Sequence, residues 1–281
     1  MPTKNDSFDT SLHHVTSADG TEISYERTGQ GPTVILVSQA LSDLRDSRRL
    51  GTKLTATHTV VNYDRRGRGN SGDGDTWSVA REIEDIEALI DVHGGGAILF
   101  GASSGAILAL DAAAALPAKI VAVIAYEPPV IVDDRRAPVP RDLADSLERL
   151  VEEGRGADAV RAFNRVALGA SPFMIGAMRV MVGPWRTMVA MAKTTVYDTR
   201  LCMGLQDGRP LTADRWKELR VPSLVLVGSR SDPFMQSGTR ELAELIRADY
   251  TTIDGAHHAT PMMKPAALIP AIRSFLSAAH R

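Results

Sequence analysis

The chain has 281 residues, of which 44% are hydrophobic and 23% are charged, so it can bury a sizeable core and is too apolar for an intrinsically disordered chain. Its 32 basic and 34 acidic residues give a net charge of −2, which argues against nucleic acid or an anionic membrane as the main partner. The single cysteine, Cys202, excludes an internal disulfide framework and a thiolate-built metal site, and it fits a reducing compartment.

Two segments bear on localisation. The first ten residues are polar and contain no apolar run, so we expect no signal peptide. The least polar stretch, residues 94–110, contains five glycines, which indicates a strand and turn entering a helix rather than a membrane span. We therefore expect a cytoplasmic protein that does not insert into a membrane.

Short aliphatic segments recur along the chain and predict strands. The first two flank Asp19–Gly20, which is a hairpin signal. Most of the others are runs of Val, Ile and Leu with little alternation, as expected of strands buried on both faces of a parallel sheet. Helical patterns at 79–92 and 104–116 lie between strands, so the chain predicts βαβ units with right-handed crossovers. The predicted strands are 12–17, 21–27, 33–38, 57–63, 97–100, 120–126, 223–227 and 250–253.

Strand signals are absent between residues 128 and 219, where amphipathic helical patterns and several methionines occur instead. A connection of this length is far longer than usual, so we expect it to have a functional role. We predict an α/β core of residues 1–127 and 220–281, interrupted by a helical cap or lid of residues 128–219.

The segment Gly101-Ala102-Ser103-Ser104-Gly105 lies between a predicted strand and a predicted helix. A serine on such a sharp turn projects its hydroxyl above the sheet, and the residues two before and two after it must be tiny, because the strand and helix backbones nearly touch. Glycines satisfy this requirement for Ser103, whereas Ser104 has alanine at both positions. We predict that Ser103 is a nucleophile; the alternative is a glycine-rich helix start without chemistry.

A serine nucleophile needs a base and an acid that orients the base. In this architecture they follow the serine in the order Asp or Glu, then His. Asp232 and His258 each follow one of the last two predicted strands, so we predict Ser103, Asp232 and His258 as catalytic residues. The end of strand 120–126 carries the alternative acid, Glu127, and Asp232 could instead serve only as a turn residue before proline. His257 is the alternative base.

Several segments together resemble the α/β-hydrolase superfamily, and within it small serine hydrolases of actinobacterial type with a helical cap. The resemblance implies a mostly parallel eight-stranded sheet flanked by helices, a strand–turn–helix nucleophile and a lid. It implies no particular substrate. A Gly-x-x-His pattern near the C-terminus favours His258 over His257 as the base. The segments are residues 61–71 (VNYDRRGRGNS), 81–85 (REIED), 100–106 (FGASSGA), 125–129 (AYEPP) and 255–258 (GAHH).

The resemblance also assigns an oxyanion hole to the amides of Ala40 and Ser104. Here the sequence departs from the superfamily, because the loop after the third strand has Gln39 where His-Gly or Gly-Gly is usual. We expect Gln39 either to restrict the loop backbone or to place its amide side chain in the pocket. Met178 and Trp185 are further candidate pocket residues. On one helix they would share a face with Met174, Met181 and Met188, although gap-filling in the core is an equal alternative.

The cluster Arg65, Arg66 and Arg68 is short, and we interpret it as structural rather than as a nucleic-acid patch.

The sequence as a whole predicts a serine hydrolase, without cofactor or metal, that cleaves an ester, lactone or thioester of a mostly apolar small molecule through an acyl-enzyme. One alternative is a non-hydrolytic enzyme of this fold (a lyase, a cyclase or a perhydrolase-like enzyme), which only Gln39 supports. Another is a small-ligand-binding module, which would have no use for a serine, an acid and a histidine. The sequence does not indicate an oligomeric state.

Overall fold

A computed structural model describes residues 8–279, which form one eight-stranded sheet flanked by helices. The sheet order is β1-β2-β4-β3-β5-β6-β7-β8; β2 pairs antiparallel with β1 and β4, and all other pairs are parallel. This confirms the predicted α/β-hydrolase architecture. Most of the N-terminal segment for which we expect no signal peptide lies outside the described residues. The strands are β1 (Leu12–Thr16), β2 (Glu22–Thr28), β3 (Thr33–Val37), β4 (Thr59–Tyr63), β5 (Ala97–Ala102), β6 (Ile120–Tyr126), β7 (Ser223–Gly228) and β8 (Asp249–Ile253).

Two apolar layers cover the sheet. Every residue of β3, β4 and β5 is buried, as expected for the centre of a parallel sheet with helices on both faces. One layer packs against α2 (Val79–Asp91), α3 (Ser104–Ala115) and α9 (Pro233–Ile246). The other packs against α1 (Leu44–Leu54) and α11 (Ile269–Ala279). Polar residues start the first two helices, since Asp43 accepts a hydrogen bond from the Arg45 amide and Ser78 accepts one from the Arg81 amide.

The chain between β6 and β7 contains five helices, a 3-10 turn at Ala213–Trp216 and no strand. Its helical character agrees with the sequence, and a division into core and cap at residues 128 and 219 stays a prediction. Three of the helices bury a common apolar cluster that also includes residues from the ends of β7 and α9. The helices are α4 (Leu143–Glu152), α5 (Gly156–Val166), α6 (Pro172–Val180), α7 (Val182–Ala190) and α8 (Thr194–Leu201).

The expectation that five residues of this segment share one helical face is wrong. The chain leaves helical geometry at Met181, where ψ is 76°, so α6 and α7 are separate helices. Met174 and Met181 are exposed, whereas Met178 and Met188 are half-buried. Within residues 8–279, the structure has no helix that is both long enough and apolar enough to cross a lipid bilayer.

Candidate active site

Ser103 occupies the turn between β5 and α3, with φ 52° and ψ −125°, a conformation that L-residues rarely adopt. Its amide donates a 2.9 Å hydrogen bond to the Tyr126 carbonyl, which ties the turn to the end of β6. A methyl group at Gly101 would lie 2.3 Å from the Gly105 carbonyl oxygen, and one at Gly105 would lie 2.3 Å from that of Val37. The turn therefore needs glycine on both sides of Ser103, for the steric reason that the sequence indicates.

We expect Gly105→Ala to lower the free energy of unfolding by about 3 kcal/mol, because its methyl group would overlap backbone that is fixed in the sheet. The matched control is Gly176→Ala in α6, where the added methyl group would meet no atom within 4 Å beyond the adjacent residues and backbone of its own helix. That variant should be neutral or more stable by up to about 1 kcal/mol, because alanine favours a helix. Urea unfolding measures both, and equal stabilities would contradict the steric argument.

His258 follows β8 and contacts a buried carboxylate. Its Nδ1 lies 2.8 Å from Oε2 of Glu127, the residue that follows β6. Glu127 is fully buried and has φ 45°. Its other oxygen, Oε1, accepts a 2.8 Å hydrogen bond from the Gly228 amide and another from the Ser231 hydroxyl. Because the carboxylate engages Nδ1, it leaves Nε2 as the ring nitrogen that can exchange a proton with a substrate or a nucleophile.

The prediction that Asp232 orients this histidine is wrong. Glu127, the alternative acid, contacts the histidine instead. Asp232 is exposed at the residue before α9, where its carbonyl accepts a 2.9 Å hydrogen bond from the Met235 amide. The two acids follow neighbouring strands that end at the same edge of the sheet. The last residue of β7, Gly228, and the turn after it, through Ser231, donate hydrogen bonds to Glu127, and that turn does not supply the acid itself.

The environment of Glu127 favours its ionised form. Burial alone would raise the pKa of this carboxyl, but the hydrogen bond from His258 lowers it, as does the charge of that ring when it is protonated, and the bonds from Ser231 and Gly228 lower it further. The net result is a pKa below the ordinary value. An ionised carboxylate in this position can hold one imidazole tautomer and stabilise the imidazolium.

His257 has a different set of contacts. Its amide donates to Thr260 Oγ1 at 2.8 Å, and its carbonyl accepts from the Tyr126 hydroxyl at 2.8 Å. Its ring Nδ1 accepts from the Ala259 amide at 3.3 Å. These bonds fix the loop that carries His258. Of the two adjacent histidines, His258 is the one whose ring contacts the Glu127 carboxylate.

The loop after β3 begins beside the Ser103 turn, because Val37 pairs with Gly101 across the two strands. Ala40 lies in this loop, and Ser104 is the first residue of α3, where backbone amides have no partner within the helix. The Gln39 side chain donates a 3.4 Å hydrogen bond to the sulfur of Met262. It thus reaches across to α10 (Thr260–Met263), and Gln39 is one of the residues that line the cleft next to the loop.

A cleft of about 640 Å³ separates this loop from helices of the segment between β6 and β7. Two of the candidate pocket residues, Gln39 and Met178, line this cleft, and Met188 lines it as well. Trp185 is not among its lining residues; it is half-buried and packs against the apolar cluster of α4, α5 and α8. The other lining residues are Ala40, Leu41, Ser42, Asp43, Arg45, Asp46, Asn164, Leu168, Gly183, Pro184, Thr187 and Met262.

The alpha/beta hydrolase family matches residues 34–271. The chain belongs to this family. It is similar to an alpha/beta hydrolase from Sphaerobacter thermophilus, at 39% identity and a TM-score of 0.85 over 94% of this chain and 100% of that one. An enol-lactonase from Burkholderia xenovorans shares the fold, at 20% identity and a TM-score of 0.72 over 94% of this chain and 100% of that one.

Curated relatives match a smaller part of this hydrolase. An uncharacterized hydrolase, YraK, from Bacillus subtilis is 31% identical over 113 residues, which are 39% of this chain and 42% of that protein. The human mitochondrial palmitoyl-protein thioesterase ABHD10 is 30% identical over 121 residues, which are 41% of this chain and 40% of that protein. The alignments therefore span about two fifths of the length of these relatives.

The arginines that follow β4 in this hydrolase are fully buried. Arg66 binds both carboxylate oxygens of Asp85, at 2.8 and 2.7 Å, and also binds Asp19 at 2.9 Å. Arg65 and Arg68 have acidic partners as well. Burial removes these side chains from contact with nucleic acid, which agrees with the structural interpretation.

Other groups with potential reactivity lie elsewhere in the hydrolase. Cys202 is buried; burial and the charge of Asp198 raise the pKa of its thiol to about 12. The thiol therefore stays protonated at neutral pH and is a poor nucleophile. Within the described part of the chain, no three His, Cys, Asp or Glu side chains are grouped so that they could hold a metal ion.

Proposed function

We propose that this hydrolase cleaves an ester, lactone or thioester of a mostly apolar small molecule through an acyl-enzyme, without a cofactor. One observation carries the proposal: a serine on a strained strand-to-helix turn lies at the same edge of the sheet as a histidine held 2.8 Å from a buried carboxylate. These are the nucleophile, the base and the orienting acid that acyl transfer needs.

The proposed reaction has two proton-balanced halves. Nε2 of His258 accepts the proton of the Ser103 hydroxyl as its oxygen attacks the substrate carbonyl, and Glu127 stabilises the imidazolium. The tetrahedral intermediate collapses to the acyl-serine, and the imidazolium gives its proton to the leaving alcohol or thiol. Water then repeats the sequence, with His258 as the base, and releases the carboxylic acid and free Ser103.

The amides of Ala40 and Ser104 are proposed to stabilise the oxyanion in both halves. The two residues come from the ends of the paired strands β3 and β5, so their amides can approach one carbonyl oxygen from two sides. The side-chain amide of Gln39 could compete with these backbone amides for the oxyanion, but it already donates a hydrogen bond to the sulfur of Met262. Its position therefore supports the assignment to the amides of Ala40 and Ser104.

The cleft is the proposed site for the apolar part of the substrate. It adjoins Ala40, and Met178, Met188 and Leu168 supply flexible apolar walls. The partial likeness to palmitoyl-protein thioesterases is consistent with an apolar acyl group.

A series of p-nitrophenyl esters from acetate to decanoate tests this proposal. We expect kcat/KM to rise from acetate to medium-chain esters, and Met178→Ala to reduce it about tenfold for the longer esters, because the variant loses apolar contact. Met174→Ala, on the exposed side of the same helix, is the matched control and should change nothing. A monotonic fall from acetate upward that Met178→Ala leaves unchanged would rule out the apolar cleft. Failure to hydrolyse any ester, lactone or thioester would overturn the function.

His257→Ala provides a separate prediction about the adjacent histidines. We expect it to lose less than about tenfold in kcat/KM, about 1.4 kcal/mol, because its loop contacts are mostly made by backbone atoms that the variant keeps. Steady-state kinetics beside His258→Ala measures the difference. If His257→Ala were the less active of the two, the base assignment would be wrong.

A further inference from the structure

Two buried guanidinium groups lie behind the loop that contains Ala40. Arg68 Nη1 donates hydrogen bonds to the carbonyls of Gln39 and Ser42, the latter at 3.4 Å. Arg65 Nη1 donates to the Ser38 carbonyl at 3.3 Å. The two arginines therefore hold three carbonyl groups of one short loop.

The contact with the Gln39 carbonyl has a direct consequence for the Ala40 amide. These two groups belong to the same peptide unit, which is planar and trans, so the N–H points away from the C=O. A hydrogen bond that fixes the direction of the Gln39 carbonyl therefore also fixes the direction of the Ala40 N–H. A charged donor on the carbonyl further polarises the peptide and strengthens its N–H as a donor.

A residue of the segment between β6 and β7 holds both arginines. Asp198 of α8 accepts from Arg65 Nη1 at 2.9 Å through Oδ1 and from Arg68 Nη2 at 2.7 Å through Oδ2. Arg65 also binds both oxygens of Glu82, at 2.7 and 2.6 Å. The group contains two guanidiniums and two carboxylates, all at most 2% exposed, so its charges balance in the interior.

Helix α8 packs here against the chain between β4 and α2. The Tyr197 ring stacks on Trp77, with ring centroids 4.9 Å apart and planes within 6°. Its hydroxyl lies 3.0 Å from both oxygens of Asp73. Asp198 is the next residue along the helix, so its carboxylate has a fixed position.

The arrangement around Arg68 leaves one donor unpaired. Among the described residues, its buried Nε has no hydrogen-bond partner. An unpaired buried donor is costly, and a buried ion pair contributes little net stability compared with apolar packing. The stability of the fold therefore explains Arg68 poorly. Control of the loop geometry explains it better, because Nη1 binds the loop carbonyls and Nη2 binds Asp198.

We propose that Arg68, held by Asp198, is a positioning residue that directs the Ala40 amide at the oxyanion. The inference rests on the proposed function. It assigns to the segment between β6 and β7 a part in stabilising the transition state, in addition to any contact with substrate.

The test compares Arg68→Lys with Arg66→Lys. Both arginines follow β4, both are buried, and both bind acidic partners, but Arg66 contacts none of the carbonyls of residues 38–42. A lysine at residue 68 can reach fewer of its partners, so we expect kcat to fall about 10- to 100-fold with KM within about threefold. The affinity for a trifluoromethyl ketone analogue of the best ester should fall by the same factor as kcat/KM. Arg66→Lys should lose thermal stability and keep kcat and analogue affinity within about threefold of wild type.

A second variant covers the case in which Arg68→Lys does not fold. Asp198→Asn keeps the shape of the side chain, lies far along the chain from the loop and should lower kcat and analogue affinity together. Equal effects of the residue 66 and residue 68 variants, or a change in KM alone, would overturn the positioning role. Treatment of the wild-type protein with a fluorophosphonate distinguishes failure of the proposed function from failure of this inference. If wild type does not react, the proposed function is refuted. If wild type reacts but the residue 66 and residue 68 variants have the same kinetics, only this inference is refuted.

Discussion

Ser103→Ala is expected to lower kcat by about 10⁴- to 10⁶-fold, while the protein folds normally and still binds substrate. The variant loses the nucleophile, so no acyl-enzyme can form, and only general stabilisation by the oxyanion hole and by binding remains. Alanine keeps the β-carbon, so the backbone strain at this turn, where φ is 52°, stays as in wild type. We therefore expect the free energy of unfolding to stay within about 1 kcal/mol of wild type.

Labelling with a fluorophosphonate, followed by peptide mapping, measures this prediction at the level of the residue. Wild type should carry the label on Ser103, and Ser103→Ala should carry none. Ser104→Ala is the control, because it keeps the backbone amide that the mechanism needs and should still be labelled on Ser103. A label on Ser104 in wild type, or near-wild-type esterase activity of Ser103→Ala, would contradict the assignment.

The sheet could be predicted from the sequence because its cause is local. Strands buried on both faces must be short aliphatic runs, and the central strands β3, β4 and β5 appear as such. The break at Met181 could not be predicted in the same way. Spacings of three and four residues continue through it, and Gly183 and Pro184 shortly afterwards are the only local signals. The direction of each helix is set by packing against other elements, which periodicity does not report.

The acid that contacts His258 shows which part of the site could not be predicted from the sequence. Sequence order admits both Glu127 and Asp232, since each follows a strand that ends at the same edge. The deciding features are a positive φ at Glu127 and the two donors Gly228 and Ser231, at the end of β7 and in the turn after it, which depend on the tertiary structure. A signal was present nonetheless: an acid directly after the apolar run 120–126 is buried and needs a partner.

The sequence indicates the role of Asp198 even less clearly than that of Glu127. It lies in a segment where helical patterns predict a lid, and nothing in its neighbours indicates two arginines more than 100 residues away. The cluster of Arg65 and Arg68 does require buried acids once it is interpreted as structural, because buried guanidiniums need partners. Composition cannot tell which acids these are, and only the fold brings α8 to the loop after β4.

The pKa of Glu127 has a consequence for stability. Because the folded-state pKa lies below the ordinary 4.5, the carboxylate contributes stability that is fully present above that pH and is lost as the pH falls through the folded value. Glu127→Gln has no such carboxylate, so its free energy of unfolding should depend less on pH on the acid side of 4.5 than that of wild type.

Glu127→Gln should lower kcat by about 10³- to 10⁴-fold with little change in KM. The side-chain oxygen of the substituted amide can still accept from Gly228 and Ser231, which places the amide NH₂ group toward His258. An NH₂ donor favours the tautomer with the proton on Nε2, and that nitrogen can then no longer accept the proton of Ser103. The imidazolium also loses its counterion. Asp232→Asn is the control, and because Asp232 is exposed and away from the ring it should keep kcat within about threefold. Kinetics with circular dichroism on both variants measures the effect, and a greater loss in Asp232→Asn would return the acid role to Asp232.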